Sequence, residues 1–165
     1  MDAAQADEAL LVYLNQATHM DDDITVYDKA KWHYGGDYPT DLPTRNAFTH
    51  TGMFLAWLAD RGLLSSEFAE DFHDDLRQLN ERKITPGRLF EIVDGVLASD
   101  MLNDDGNAFS KTYYGPEDIY FRDYHATLGL NLPSDYHAPD SWENYDRLKA
   151  TIDRRYIEWQ QSKGA

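Results

Sequence analysis

The segment from about Thr44 to Arg61 constrains the fold more than any other. Ala47, Phe48, Thr51, Phe54, Leu55 and Leu58 recur there at helical spacing, which makes that face of a helix part of the core. Pro43 stands at its start and Gly62 just past its end, the asymmetry expected of a helix with defined limits. Gly52 falls in mid-helix, where glycine costs about 1 kcal/mol relative to alanine. Its presence there predicts close packing against another backbone.

Further helices follow from the same logic. Ser65 or Ser66 caps a second one, with Phe68, Phe72, Leu76 and Leu79 on one side and Glu70, Asp71, Asp74, Asp75 and Arg77 on the solvated side. Thr85-Pro86 opens a third as N-cap and first residue, running through Leu89, Phe90, Ile92 and Val93. Residues 99–106 read as a polar turn. Asn107–Tyr114 and Glu117–Leu128 read as two helices broken by Gly115-Pro116, and 129–141 as a loop. Ser141 or Asp140 caps a last helix from Trp142 to about Gln161, with Tyr145, Leu148, Ile152, Tyr156 and Trp159 on its apolar face. Residues 3–18 are rich in Ala and Leu and read as an N-terminal helix. Strand signals are few, the best being a short one at Ile24–Tyr27. The expected class is mainly α: a single-domain, helical bundle-like array over residues 1–165, with a minor β element near the N-terminal third.

Composition supports folding and narrows the chemistry. With 165 residues, 42% of them hydrophobic and 13% aromatic, the chain can bury a core of its own. The absence of cysteine removes disulfides, thiolate metal sites and thiol nucleophiles. Thirty acidic residues against fifteen basic ones give a formal charge of −15, the first half carrying the larger share. Such a field repels nucleic acid and anionic membranes and attracts basic partners. Asp2 stands where a secretion signal needs Lys or Arg, and the apolar run Ala9–Leu14 is too short to span a bilayer. A cytoplasmic protein that binds neither nucleic acid nor membrane is expected. Nothing in the sequence sets the oligomeric state.

Candidate site residues gather in two places. Trp32-His33-Tyr34-Gly35-Gly36-Asp37-Tyr38-Pro39 combines paired glycines with groups for stacking, proton transfer and hydrogen bonding. Large aromatics usually serve burial, so Trp32, Tyr34 and Tyr38 read first as a plug closing one end of the core. Further on, His50, Phe54 and Trp57 lie at i, i+4 and i+7 on one side of the long helix; a hydrogen-bonded structural role is the simplest for His50. The binding candidates are therefore Trp32, His33, Tyr34, Asp37, Tyr38, His50 and Trp57. No phosphate-binding glycine loop, serine elbow or paired-histidine helix motif occurs. The six histidines show no ligand spacing, and Asn103-Asp104-Asp105-Gly106 fails the calcium-loop pattern at Met101 and Thr112. Neither metal nor cofactor is expected. Arg154-Arg155 reads as pairing with the chain's own acids.

Tyr27-Asp28-Lys29-Ala30-Lys31-Trp32-His33-Tyr34-Gly35-Gly36-Asp37-Tyr38-Pro39, followed by Leu42-Pro43 and His50-Thr51-Gly52-Met53-Phe54-Leu55-Ala56-Trp57, resembles a family of small bacterial proteins known only as a domain of unknown function. The likeness continues through Leu102–Phe109, Tyr113-Tyr114, Ser141–Asp146 and Ile152–Tyr156, covering about residues 27 to 160 and leaving the first 20 outside. Thr51 departs from the Ile of the family's pattern. The resemblance carries no activity and no catalytic residue.

Two functions from different classes suit these observations. One is a non-catalytic, immunity-type binding protein whose acidic surface neutralises a basic, toxin-like protein, acidic surfaces being fast associators with such partners. The other is a small enzyme or ligand-binding domain with a pocket around Trp32, His33, Asp37, His50 and Trp57. The second requires these residues to converge. His33 and His50 more than about 10 Å apart would remove it.

Overall fold

The computed structural model describes residues 23–164, so the expected helix over residues 3–18 lies outside it. A strand β1 (Val26–Lys29) leads directly into a short helix α1 (Ala30–Tyr34). A 3-10 turn (Thr44–Phe48) opens α2 (Thr49–Asp60). Then come α3 (Ser66–Asp71), α4 (His73–Asn80), α5 (Pro86–Ile92), a second strand β2 (Val96–Ala98), α6 (Asp104–Tyr113), α7 (Ile119–Tyr124) and the long α8 (Trp142–Lys163). The described chain is mainly α with one small two-stranded antiparallel sheet.

The caps explain where these elements begin. Ser65 accepts from the Phe68 amide, Thr85 from Arg88, Asn103 from Gly106 and Ser141 from Asn144, each satisfying an otherwise orphaned donor in the first turn. Asp140 is thereby freed from capping; its carboxylate accepts from Thr85 Oγ1 and from the Gly87 amide, holding the last connection against the start of α5. Gly62 ends the α2 segment at φ +71°, a conformation that favours glycine.

The sequence-based reading of α2 as one-sided is too modest. Every residue from Thr49 to Leu58 is buried, with Thr49, His50 and Thr51 as buried polar groups in the first turn. Helix α5 crosses it at Gly52, where an added Cβ would run into the Pro86 carbonyl and come within 2.9 Å of Gly87 Cα. The glycine therefore serves backbone contact, as its mid-helix position predicts. At the other end, Trp57 Nε1 donates to Asp153 of α8 at 2.9 Å, and Phe54, Trp57, Phe109 and Tyr156 pack as an aromatic cluster.

Other differences are local. The second expected helix breaks at Phe72 into α3 and α4. The expected helix over 117–128 becomes α7 followed by a π-helical turn (His125–Gly129). β1 lies two residues beyond its expected place, and β2 goes unread in the sequence although the Asp94-Gly95 turn before it, at φ +64° and +65°, separates it from α5. Arg155 forms a bidentate pair with Asp123 at 2.8 and 2.9 Å, the self-pairing expected of it. Among the described residues no helix is long and apolar enough to cross a membrane.

Candidate functional site

Three elements deliver one polar cluster. β1 pairs with β2 in the register Val26↔Ala98, Asp28↔Leu97, Lys29↔Val96, with a bulge between Val26 and Asp28. Bulges re-aim a side chain, and Asp28 is the one buried residue of the strand. The chain then turns at once into α1, whose single turn buries Ala30 and brings His33 back over the strand. The first turn of α2 supplies His50 and Thr51, positioned by the close crossing at Gly52.

Asp28, His33 and His50 meet with His33 in hydrogen-bond range of both others. His33 Nε2 lies 2.8 and 2.9 Å from the two Asp28 oxygens and 3.2 Å from His50 Nε2. His50 Nε2 is 3.6 Å from Asp28 Oδ2. The Tyr136 hydroxyl holds His33 Nδ1 at 2.7 Å. Asp28 also accepts from the Lys29 amide at 2.8 Å, from Thr51 Oγ1 at 3.1 Å and from the Tyr114 hydroxyl. Thr51 also reaches the Tyr114 oxygen at 2.9 Å, and the Tyr120 hydroxyl donates to the His50 carbonyl. One ligand-type atom each from Asp28, His33 and His50 fall within 4.8 Å of one another.

Burial sets the charges. It would raise the Asp28 pKa, but the contacts of His33 and His50 outweigh it and hold the carboxyl well below the usual carboxylate range. For His50 the order is reversed: burial lowers the imidazole pKa, and the nearby Asp28 only partly opposes it. Burial likewise pushes the Tyr114 phenol far above its ordinary value, with Asp28 adding to the effect. The site thus holds a fixed carboxylate beside a neutral imidazole.

A pocket of about 360 Å³ is lined by His50, Phe121, Tyr124, Leu132 and Tyr136, with Ser134 and Asp135 at its polar edge. Its volume lies in the range of about 300–1,000 Å³ typical of small-molecule sites. The Tyr124 hydroxyl is buried and finds no hydrogen-bond partner among the described residues. On the rim, His125 Nδ1 and Asp135 Oδ1 pair at 2.7 Å.

The sequence-based candidates divide cleanly. His33 and His50 converge. Trp32 is 53% and Tyr34 39% exposed, so neither plugs the core: Trp32 lies off the face that carries Ala30 and His33, and Tyr34 stacks on Phe48 at the edge of the core. Tyr38 is half-buried, donating to the Pro43 carbonyl at 2.7 Å and packing on Tyr136. Asp37 is exposed and is not among the residues that meet at the cluster. Trp57 shares a helix face with His50, but seven residues amount to about 10 Å along the axis, so it belongs to the aromatic core by α8. Asp28, Thr51, Tyr114 and Tyr136 escape the sequence-based reading. The signal for Asp28 and Tyr114 is only that both fall in the family-like segments; Tyr136 arrives from a distant segment and carries none.

Among known proteins, the sequence model described as Domain of unknown function (DUF7832) matches residues 26–138, a span that includes Asp28, His33, His50, Thr51, Tyr114, Tyr124 and Tyr136. No curated protein matches the chain, and no solved structure does.

Proposed function

Because the chain belongs to the DUF7832 family, whose description names no activity, we propose its function from the site alone: a small-molecule-binding domain with His50 as the reactive floor of its pocket. One observation carries this reading. The same buried imidazole contacts the Asp28–His33 pair and lines the pocket. The ligand is a compact molecule with an apolar or aromatic body for Phe121 and Leu132. It also carries a hydrogen-bonding group for Ser134 and Asp135 at the pocket's polar edge.

An NMR fragment screen tests this. Binders should shift resonances of His50, Tyr124 and Leu132. Filling the pocket with Leu132→Trp, which leaves the Asp28 cluster untouched, should abolish binding in a protein that stays folded. Hits that map to other faces, or survive L132W, would refute the proposal.

The immunity-type reading keeps one supporting observation. On a chain of charge −15, Trp32 and Tyr34 stand exposed, and aromatic anchors with charge complementarity favour a basic protein partner. Binding measurements against the product of the neighbouring gene, with Trp32→Ala as the variant, test it. No binding and no protection in co-expression would sink it.

A further inference from the structure

We propose that Asp28, His33 and His50 form a binding site for a first-row divalent transition-metal ion of the zinc class. The ion is held by one Asp28 carboxylate oxygen and the Nε2 atoms of both histidines. It would not depend on the pocket reading above; only a pocket ligand as its fourth donor would.

Distances come first. With metal–ligand bonds of about 2.0–2.2 Å, a regular tetrahedron separates its donor atoms by about 3.3–3.6 Å. The three donors here are 2.9, 3.2 and 3.6 Å apart. A point about 2.05 Å from all three lies about 0.8 Å out of their plane, against about 0.7 Å in the regular figure. The triangle is therefore of the right size and shape to be one face of a four-coordinate site. Three protein ligands with a fourth place open is also the pattern of metal sites that take up water or a substrate.

Proton arithmetic points the same way. A neutral imidazole nitrogen carries one hydrogen or one lone pair. His33 Nε2 faces Asp28 and His50 Nε2 together, so its single hydrogen cannot serve both as a good bond. His50 Nε2 is too far from Asp28, at 3.6 Å, to form a hydrogen bond of its own. A shared cation satisfies all three groups at once.

The surroundings are those of a built site. Metal-bound histidines usually donate their second ring N–H to an oxygen that fixes tautomer and orientation. The Tyr136 oxygen stands 2.7 Å from His33 Nδ1 in that role. Asp28 is oriented by the Lys29 amide, Thr51 and Tyr114. Two nitrogens and one carboxylate oxygen suit zinc-class ions, whereas magnesium and calcium prefer oxygen sets.

The test is binding of Zn²⁺ itself to the chelator-stripped full chain, followed by calorimetry, with Mg²⁺ and Ca²⁺ as comparison ions. One equivalent of Zn²⁺ should bind at micromolar or lower concentration. His33→Gln and His50→Gln should each weaken binding at least 100-fold, while His73→Gln, on the exposed start of α4, should leave it unchanged. Co²⁺ added to the unaltered protein should give the visible absorption of a four-coordinate site, and Zn²⁺ should abolish it. The cobalt measurement holds even if a variant fails to fold. No stoichiometric Zn²⁺ binding, no zinc-displaceable cobalt spectrum, or binding that H33Q and H50Q leave intact would each overturn the proposal.

Discussion

Replacing Asp28 with Asn tests the polar cluster where it is most densely connected. The carboxylate is buried and accepts from the Lys29 amide, His33, Thr51 and Tyr114. Charge-assisted hydrogen bonds contribute about 1.5–3 kcal/mol each and neutral ones about 0.5–1.5. Neutralising the acceptor of four bonds thus removes several kcal/mol. Relief of the cost of burying the charge returns part of it, and a tautomer switch at His33 lets it accept from the new amide. A net loss of about 3 kcal/mol remains, or roughly 6–12 °C in Tm at this chain length.

The loss must also depend on pH. The folded-state pKa of Asp28 lies far below its ordinary value. Its contribution is therefore complete above the unfolded pKa of about 3.9 and disappears as pH falls through the folded value. Urea unfolding of the chelator-treated proteins should show the full gap between wild type and D28N at pH 7 and a smaller one at pH 3. A gap below about 1 kcal/mol at pH 7 would mean that Asp28 does not organise the cluster.

Three further outcomes follow. His50 resists protonation because it is buried, so below pH about 6.5 the unfolded chain binds the extra proton; metal-free protein should lose stability between pH 7.5 and 5.5, and His50→Gln should flatten that slope in the same unfolding series. Tyr124→Phe deletes an unpartnered buried hydroxyl and should leave stability equal or raise it by about 1 kcal/mol, as thermal shift would show. Gly52→Ala should destabilise by about 1–3 kcal/mol despite alanine's helix preference, because its Cβ meets the Pro86 backbone; a stabilised G52A protein in chemical denaturation would refute that close crossing.

Much of the helical frame is legible in the sequence because its signals are local. Ser65, Thr85-Pro86 and Ser141 are caps whose role depends on residues three positions away, and Gly52 announces the α2–α5 contact by its cost in mid-helix. The sheet is less legible. β2 is only three residues long, and periodicity does not separate so short an apolar strand from buried helix, although the Asp94-Gly95 turn before it marks where α5 ends. The site is harder still. His33 and His50 stand out as rare residues in suggestive settings, but Asp28 is one of many acids, and only the bulge beside it turns it inward. Tyr114 and Tyr136 reach the cluster from distant segments, with no spacing to betray them. Trp32 misleads because aromatic size argues for burial, whereas a five-residue helix has room for only one inner face.

The most direct test is a crystal structure grown with Zn²⁺ and phased at the zinc absorption edge. One anomalous peak should appear about 2.0–2.2 Å from His33 Nε2, His50 Nε2 and an Asp28 oxygen, with the pocket opening beside His50. Imidazoles of His33 and His50 standing well apart, with zinc absent or held only by surface carboxylates, would contradict it.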